Sequence, residues 1–310
     1  MGKVAFIFAG QGAQYIGMGK ELAENIEASK KVFEEASEAL GFDMANLCFE
    51  GPKEELDKTE NTQPAILTMS IAAMKALEEK GIKPAVTAGL SLGEYSALVC
   101  SGALDFKTAV KLVKKRGRYM QEAVPEGIGT MAAILGLDGE KVREICSLAS
   151  EKGIVEPANF NCPGQIVIGG EIEAVNFASE KAKEIGGRAI PLSVSAPFHT
   201  SMLRPAADKL EEELKNIELN SINVPIMTNV TGTYVDNVDN IKDLLRNQVM
   251  SSVLFENIIC KMLEDGVDTF VEIGPGKALS GFVKKINRKA VVVNVEDIKS
   301  FEKALEVLGA

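Results

Sequence analysis

Tryptophan is absent from this 310-residue chain, tyrosine occurs four times and histidine once. Bases have few aromatic platforms on which to stack, and the formal net charge is −10. Together these exclude general binding to nucleic acid or to anionic membrane. The five cysteines (Cys48, Cys100, Cys146, Cys162 and Cys260) are odd in number and form no CxxC pair. Neither a disulfide framework nor a zinc site is therefore expected, and a reducing cytoplasm is the simplest home. No apolar run is long enough to span a membrane. The run Val4-Ala5-Phe6-Ile7-Phe8 is too short for a signal-peptide core and leads straight into Gly10-Gln11-Gly12, so it reads as a first buried strand. Repeats and low-complexity segments are also lacking.

What is present describes a soluble globular protein: 46% hydrophobic and 25% charged residues, in a chain long enough to bury a full core without disulfide or metal. The length suits one large domain or one domain carrying an insertion. Short β-rich runs alternate with longer helical ones, the mark of an α/β protein with a mostly parallel sheet. The pattern predicts helix over 18–40, then a helix starting at Thr62-Gln63-Pro64, with Thr62 as cap and proline in the first turn. A second buried strand is expected over 84–90, a short helix over 93–100 and another over 105–120, ended by Pro125-Glu126-Gly127.

The middle of the chain differs in texture. Strand 130–137, helix 141–151, strands 154–159 and 165–169, helix 172–185 and strand 189–194 give the order βαββαβ, the split βαβ or ferredoxin-like pattern. It predicts a small domain over 127–196 inserted into a larger one built from 1–126 and 197–310. Helix 206–216, strand 225–230, a helical stretch 241–263 broken near Ser251-Ser252, strands 267–273 and 290–295 and a closing helix complete the chain.

Gly89-Leu90-Ser91-Leu92-Gly93 is a GxSxG motif directly after a predicted strand and before a predicted helix. A sharp turn there lifts the serine hydroxyl above the sheet, and the helix N-terminus offers unpaired N–H groups to a developing oxyanion. The bland alternative is a tight turn with a capping serine. If Ser91 is a nucleophile served by histidine, the base is His199, the only histidine in the sequence. It sits in a proline-bearing loop where the chain leaves the inserted segment, and such seams form clefts; a structural histidine is the alternative. An ordinary α/β-hydrolase has an acid between serine and histidine. The candidates, Asp138 and Glu156, fall within the insertion, and neither follows a large-sheet strand. The chain Gly10-Gln11-Gly12 lacks the spacing of a phosphate loop, and an oxyanion-hole loop fits it better. Asn159 and Asn161 are candidates to line the cleft, or else cap turns.

Five segments together resemble the malonyl-CoA:acyl carrier protein transacylases of type II fatty-acid synthesis: Gly10-Gln11-Gly12-Ala13-Gln14, the run from Gly89 to Leu98, Arg116-Gly117-Arg118-Tyr119-Met120-Gln121, the run from Asn159 to Gln165, and Glu272-Ile273-Gly274-Pro275-Gly276-Lys277. They keep order and spacing over nearly the whole chain. The resemblance implies an α/β-hydrolase-like large domain with an inserted ferredoxin-like small domain. It also implies a Ser91–His199 dyad without a third acid, the histidine being oriented by main-chain carbonyls. The N–H groups of Gln11 and Leu92 become the oxyanion hole, Arg116 the partner of the malonyl carboxylate, and Gln248 a residue that lines the site and orients the histidine. The sequence departs from the family at Leu90, where most members carry histidine, and at Ser252 and Phe255, where relatives often carry proline and tryptophan.

Malonyl-CoA differs from acetyl-CoA by a free carboxylate, which a planar guanidinium grips by both oxygens. Arg116 shares a helix face with Leu112 and Met120 and so points inward, where a buried arginine requires an anion. Around it, Lys111, Lys114, Lys115 and Arg118 stand out in an acidic chain. Lys114, Lys115 and Arg118, or a second strip of Lys284, Lys285 and Arg288, are the candidates to receive the phosphates of coenzyme A or an acidic carrier protein; a solvated helix face is the alternative. The expected reaction is ping-pong acyl transfer between malonyl-CoA and acyl carrier protein, with no metal or redox cofactor. A serine esterase or thioesterase and a trans-acting polyketide acyltransferase are the rivals.

Overall fold

The computed structural model describes residues 2–194 and 196–310; Met1 and Ser195 lie outside the described residues. Two sheets organise the mixed α/β fold. The first is parallel, with β1 (Lys3–Phe8), β2 (Val86–Gly89), β7 (Val267–Ile273) and β8 (Val291–Val295) in the order β2-β1-β7-β8. The second is antiparallel, with β3 (Gly129–Leu135), β4 (Val155–Cys162), β5 (Gln165–Glu171) and β6 (Arg188–Pro191) in the order β4-β5-β3-β6.

Period-two alternation explains why β1 is apolar throughout. Val4, Phe6 and Phe8 pack into the larger core with the helix Thr59–Glu79, while Ala5 and Ile7 face the helices Phe255–Glu264 and Ala278–Ile286. The antiparallel sheet divides its faces the same way. Ala132, Ile134, Phe160, Ile166 and Ile168 pack on the helices Gly139–Ala149 and Ile172–Glu184. Met131, Ala133 and Val167 turn towards the larger core. This face and the loops that follow β1 and β2 line a cleft.

Three expectations need correction. The helix begun at Thr62 starts at Thr59, so Pro64 lies inside it. Thr62 does not cap: its hydroxyl donates back to the Leu56 carbonyl. The helix expected over 18–40 is two helices, Lys20–Asn25 and Glu27–Leu40, parted by the extended Ile26. The strand expected over 225–230 shrinks to isolated bridges. Pro225 has no N–H to give, and beyond Met227 the chain turns away: the Thr228 N–H donates to the Thr233 oxygen and the Asn229 N–H to a buried carboxylate. Among the described residues, no helix is long and apolar enough to cross a membrane.

Candidate active site

Ser91 stands between the end of β2 and the helix Gly93–Ser101 with φ at 52°. His199 has φ at 61°, and these are the only non-glycine residues of positive φ among those described. Backbone in this region is costly for an L-residue and persists where its surroundings over-determine it. Here the neighbours do so. A Cβ on Gly89 would lie 1.9 Å from the Gly93 carbonyl carbon, and one on Gly93 would lie 2.2 Å from the Phe8 oxygen. Only glycine lets the turn close that tightly. Asn229 braces it from outside: its Oδ1 accepts the Ser91 N–H at 2.7 Å, and its Nδ2 donates to the Gly89 oxygen at 2.7 Å.

The serine and histidine singled out by the sequence meet. Ser91 Oγ lies 2.6 Å from His199 Nε2, and His199 Nδ1 lies 2.8 Å from the Gln248 main-chain oxygen. A carbonyl only accepts, so Nδ1 carries the hydrogen and Nε2 is free to take the serine proton. Burial, reinforced by the Arg116 charge, pushes the imidazole down to about 4. The ring is thus a neutral acceptor at ordinary pH. Neither acid considered as a third member contacts it. Asp138 caps the helix Gly139–Ala149 through the Lys141 N–H, and Glu156 accepts from the main chain and hydroxyl of Ser201.

Arg116 is 1% exposed. Its Nη1 donates to Gln63 Oε1 at 2.8 Å, and its Nη2 donates to Gln248 Oε1 at 2.9 Å and to Ser91 Oγ at 3.2 Å. Its Nε has no partner among the described residues. Burial lowers its pKa, and the nearby Tyr95 and Glu94 oppose that shift. Among the described residues, a fully buried guanidinium therefore donates only to neutral acceptors, beside the candidate nucleophile.

The cleft above Ser91 has a volume of about 670 Å3. Gln11, Asn159, Asn161, Met131 and His199 are among its walls. The alternation of β4 explains the asparagines: Phe160 packs on the helices behind, so Asn159 and Asn161 point forward. Asn161 Oδ1 is buried and unpartnered among the described residues, a costly arrangement that a ligand donor would relieve. The Gly10 loop reaches the elbow, since a Cβ on Gly10 would lie 2.5 Å from the Leu90 oxygen. The main-chain N–H groups of Gln11 and Leu92 donate to no other group among the described residues. Leu90, the departure before the serine, is a cleft wall too.

Sequence reasoning missed three side chains here. Gln63 holds Arg116 and also donates to Gln11 Oε1 at 3.3 Å. Asn229 braces the elbow. Glu94 is buried behind it, accepting from Thr228, Asn229 and Gln248. An acid in the first turn of the helix after Ser91 was a readable signal for Glu94, whereas no local spacing marks Gln63 or Asn229.

The basic groups divide. Lys115 is neutralised by Glu213 at 2.6 Å, and Lys114 leans on Asn61 and the Phe42 ring. Lys284, Lys285 and Arg288 are exposed; Lys284 donates to the Ala290 oxygen at 2.7 Å, and Lys285 to Gln165 Oε1 at 2.9 Å at the start of β5.

The class of protein follows from comparison with known families: the acyl transferase domain family matches residues 5–303, and the chain belongs to it. Within it, the chain is 51% identical over 310 residues to the malonyl CoA-acyl carrier protein transacylase of Bacillus subtilis, covering 99% of this chain and 98% of the relative. The crystal structure of the malonyl CoA-acyl carrier protein transacylase from Clostridium perfringens superposes with a TM-score of 0.97 at 60% identity, covering 99% of this chain and 97% of that one. A malonyl-transacylase solved in complex with a type II polyketide acyl-carrier protein gives a TM-score of 0.96 at 44% identity, over 98% of this chain and 99% of that one.

Proposed function

We infer that this chain transfers malonyl groups from coenzyme A to the phosphopantetheine thiol of acyl carrier protein, supplying fatty-acid synthesis. The carrying observation is the convergence on one oxygen: Ser91 Oγ has His199 Nε2 at 2.6 Å and Arg116 Nη2 at 3.2 Å. A base and an anion-seeking cation thus flank the same nucleophile.

In this reading His199 Nε2 takes the Ser91 proton as Oγ attacks the malonyl thioester carbon. The tetrahedral oxyanion accepts from the N–H groups of Gln11 and Leu92. The C–S bond breaks, the proton on His199 goes to the leaving coenzyme A sulfur, and a malonyl-serine ester remains. The carrier's thiol then enters and gives its proton to His199. Its sulfur attacks the ester, and the proton returns to Ser91 Oγ. Arg116 grips the malonyl carboxylate, with Gln248 orienting both it and His199. Asn159 and Asn161 meet the pantetheine amides from β4.

The architecture is read as an α/β-hydrolase-like domain (1–126 and 197–310) with a ferredoxin-like insertion (127–196). The order β4-β5-β3-β6 supports the second term. Carrier protein docks on Lys284, Lys285 and Arg288, because this strip is exposed and pairs with no carboxylate among the described residues, while Lys115 is already neutralised. The polyketide carrier bound to a relative favours a second destination. Transfer rates to a fatty-acid and a polyketide carrier, measured side by side, test it: a preference for the polyketide carrier reverses the assignment of pathway.

A further inference from the structure

Glu94 has no place in the chemistry above, yet its carboxylate, 3% exposed, is the acceptor on which the site's side chains converge. Its Oε1 accepts the Thr228 hydroxyl at 2.9 Å. Its Oε2 accepts the Asn229 main-chain N–H at 2.9 Å and Gln248 Nε2 at 2.8 Å. A primary amide has one donating end and one accepting end. With Glu94 taking the donor, Gln248 Oε1 faces the opposite way and meets Arg116 Nη2 at 2.9 Å. The same Nε2 donates to the Ser91 oxygen at 3.0 Å. Turned end for end, the amide would press its NH2 against the guanidinium, donor against cation.

Glu94 acts on the arginine at one remove. Glu94 reaches Arg116 through the Gln248 amide, and Gln63, Gln248 and Ser91 are the arginine's acceptors. Arg116 is thereby fixed in place without being paired, and a buried cation held by neutral acceptors keeps its demand for an anion. Burial raises the Glu94 pKa, but Oε2 remains an acceptor in either protonation state.

We propose that Glu94 is the positioning residue for substrate selection: by fixing the Gln248 amide, it keeps Arg116 aimed at the acyl group and unneutralised, and so sets the preference for carboxylate-bearing acyl groups. This rests on the malonyl-transfer reading and names the residue behind its selectivity.

The test compares malonyl-CoA with acetyl-CoA as donors of the Ser91 acyl group in the full chain. In Glu94→Leu no acceptor remains for Gln248 Nε2 at this point, and the amide is free to swing its Oε1 away from Arg116. The malonyl-to-acetyl ratio of acylation kcat/KM should fall about tenfold, the loss of one charge-assisted hydrogen bond, chiefly through the KM for malonyl-CoA. The double variant Glu94→Gln, Gln248→Glu keeps the net charge and moves the carboxylate onto Arg116 directly. Thermal stability should then return towards wild type while the malonyl preference does not, a split that a purely structural role does not produce. A wild-type ratio in either variant overturns the proposal, and if the single variant does not fold the double variant decides. Absence of a malonyl-serine ester in the wild type would instead sink the transfer reading itself.

Discussion

The main-chain oxygen of Gln248 accepts the Nδ1 hydrogen of His199 at 2.8 Å, so a peptide carbonyl and no carboxylate orients the base. A carbonyl fixes the tautomer as well as an aspartate does, but it lends no charge to the imidazolium. In the proposed dyad the histidine is therefore weakly basic, with its neutral form ready at physiological pH.

The pH dependence follows from this. The folded-state value is about 4 against an ordinary 6.5. Stability owed to the neutral ring is complete above the unfolded value and is lost as pH falls from there through the folded one. Acylation of Ser91 by malonyl-CoA, followed by rapid quench, should stay level down to about pH 5 and fall below it. An acid limb centred on the ordinary histidine value would contradict the buried, charge-opposed base.

Arg116→Lys keeps the charge and loses the fork. A lysine ammonium cannot reach Gln63, Gln248 and a substrate carboxylate together. The KM for malonyl-CoA should rise about ten- to a hundredfold while acetyl transfer changes little. Unchanged malonyl KM would remove Arg116 from substrate recognition.

Much of this was legible in the sequence for a physical reason. GxSxG after a buried strand demands a turn that only glycines permit, and a lone histidine leaves one choice of base. The βαββαβ run announces an antiparallel unit by its periods, and the structure has that order. What stayed hidden depends on contacts far apart in the chain. Asn229 lies 138 residues from the Ser91 N–H it accepts, and Gln248 lies 154 residues from Glu94. Local pattern carries no trace of such pairings. The strand expected over 225–230 failed because the Thr228 N–H donates to the Thr233 oxygen of a local turn and the Asn229 N–H to Glu94, neither to a sheet neighbour.

Gly93→Ala should damage fold and site together. The added Cβ meets the Phe8 oxygen at 2.2 Å, a backbone atom of the central strand that cannot yield cheaply. A loss of about 2 kcal/mol in urea unfolding is expected. A change within about 0.5 kcal/mol would mean that the elbow is looser than described.

Reversing charge at Lys285 and Arg288 together should raise the KM for carrier protein several-fold and leave the KM for malonyl-CoA unaltered, most visibly at low salt. Equal effects on both substrates would place coenzyme A, and not the carrier, on that strip.

The most direct test of the central claim is the intact mass of the protein after incubation with malonyl-CoA, with and without acyl carrier protein. The account predicts one malonyl adduct on the wild type, none on Ser91→Ala, and its removal to the carrier when carrier is added. Release of free malonate with no adduct passing to a thiol would contradict transfer and point to hydrolysis.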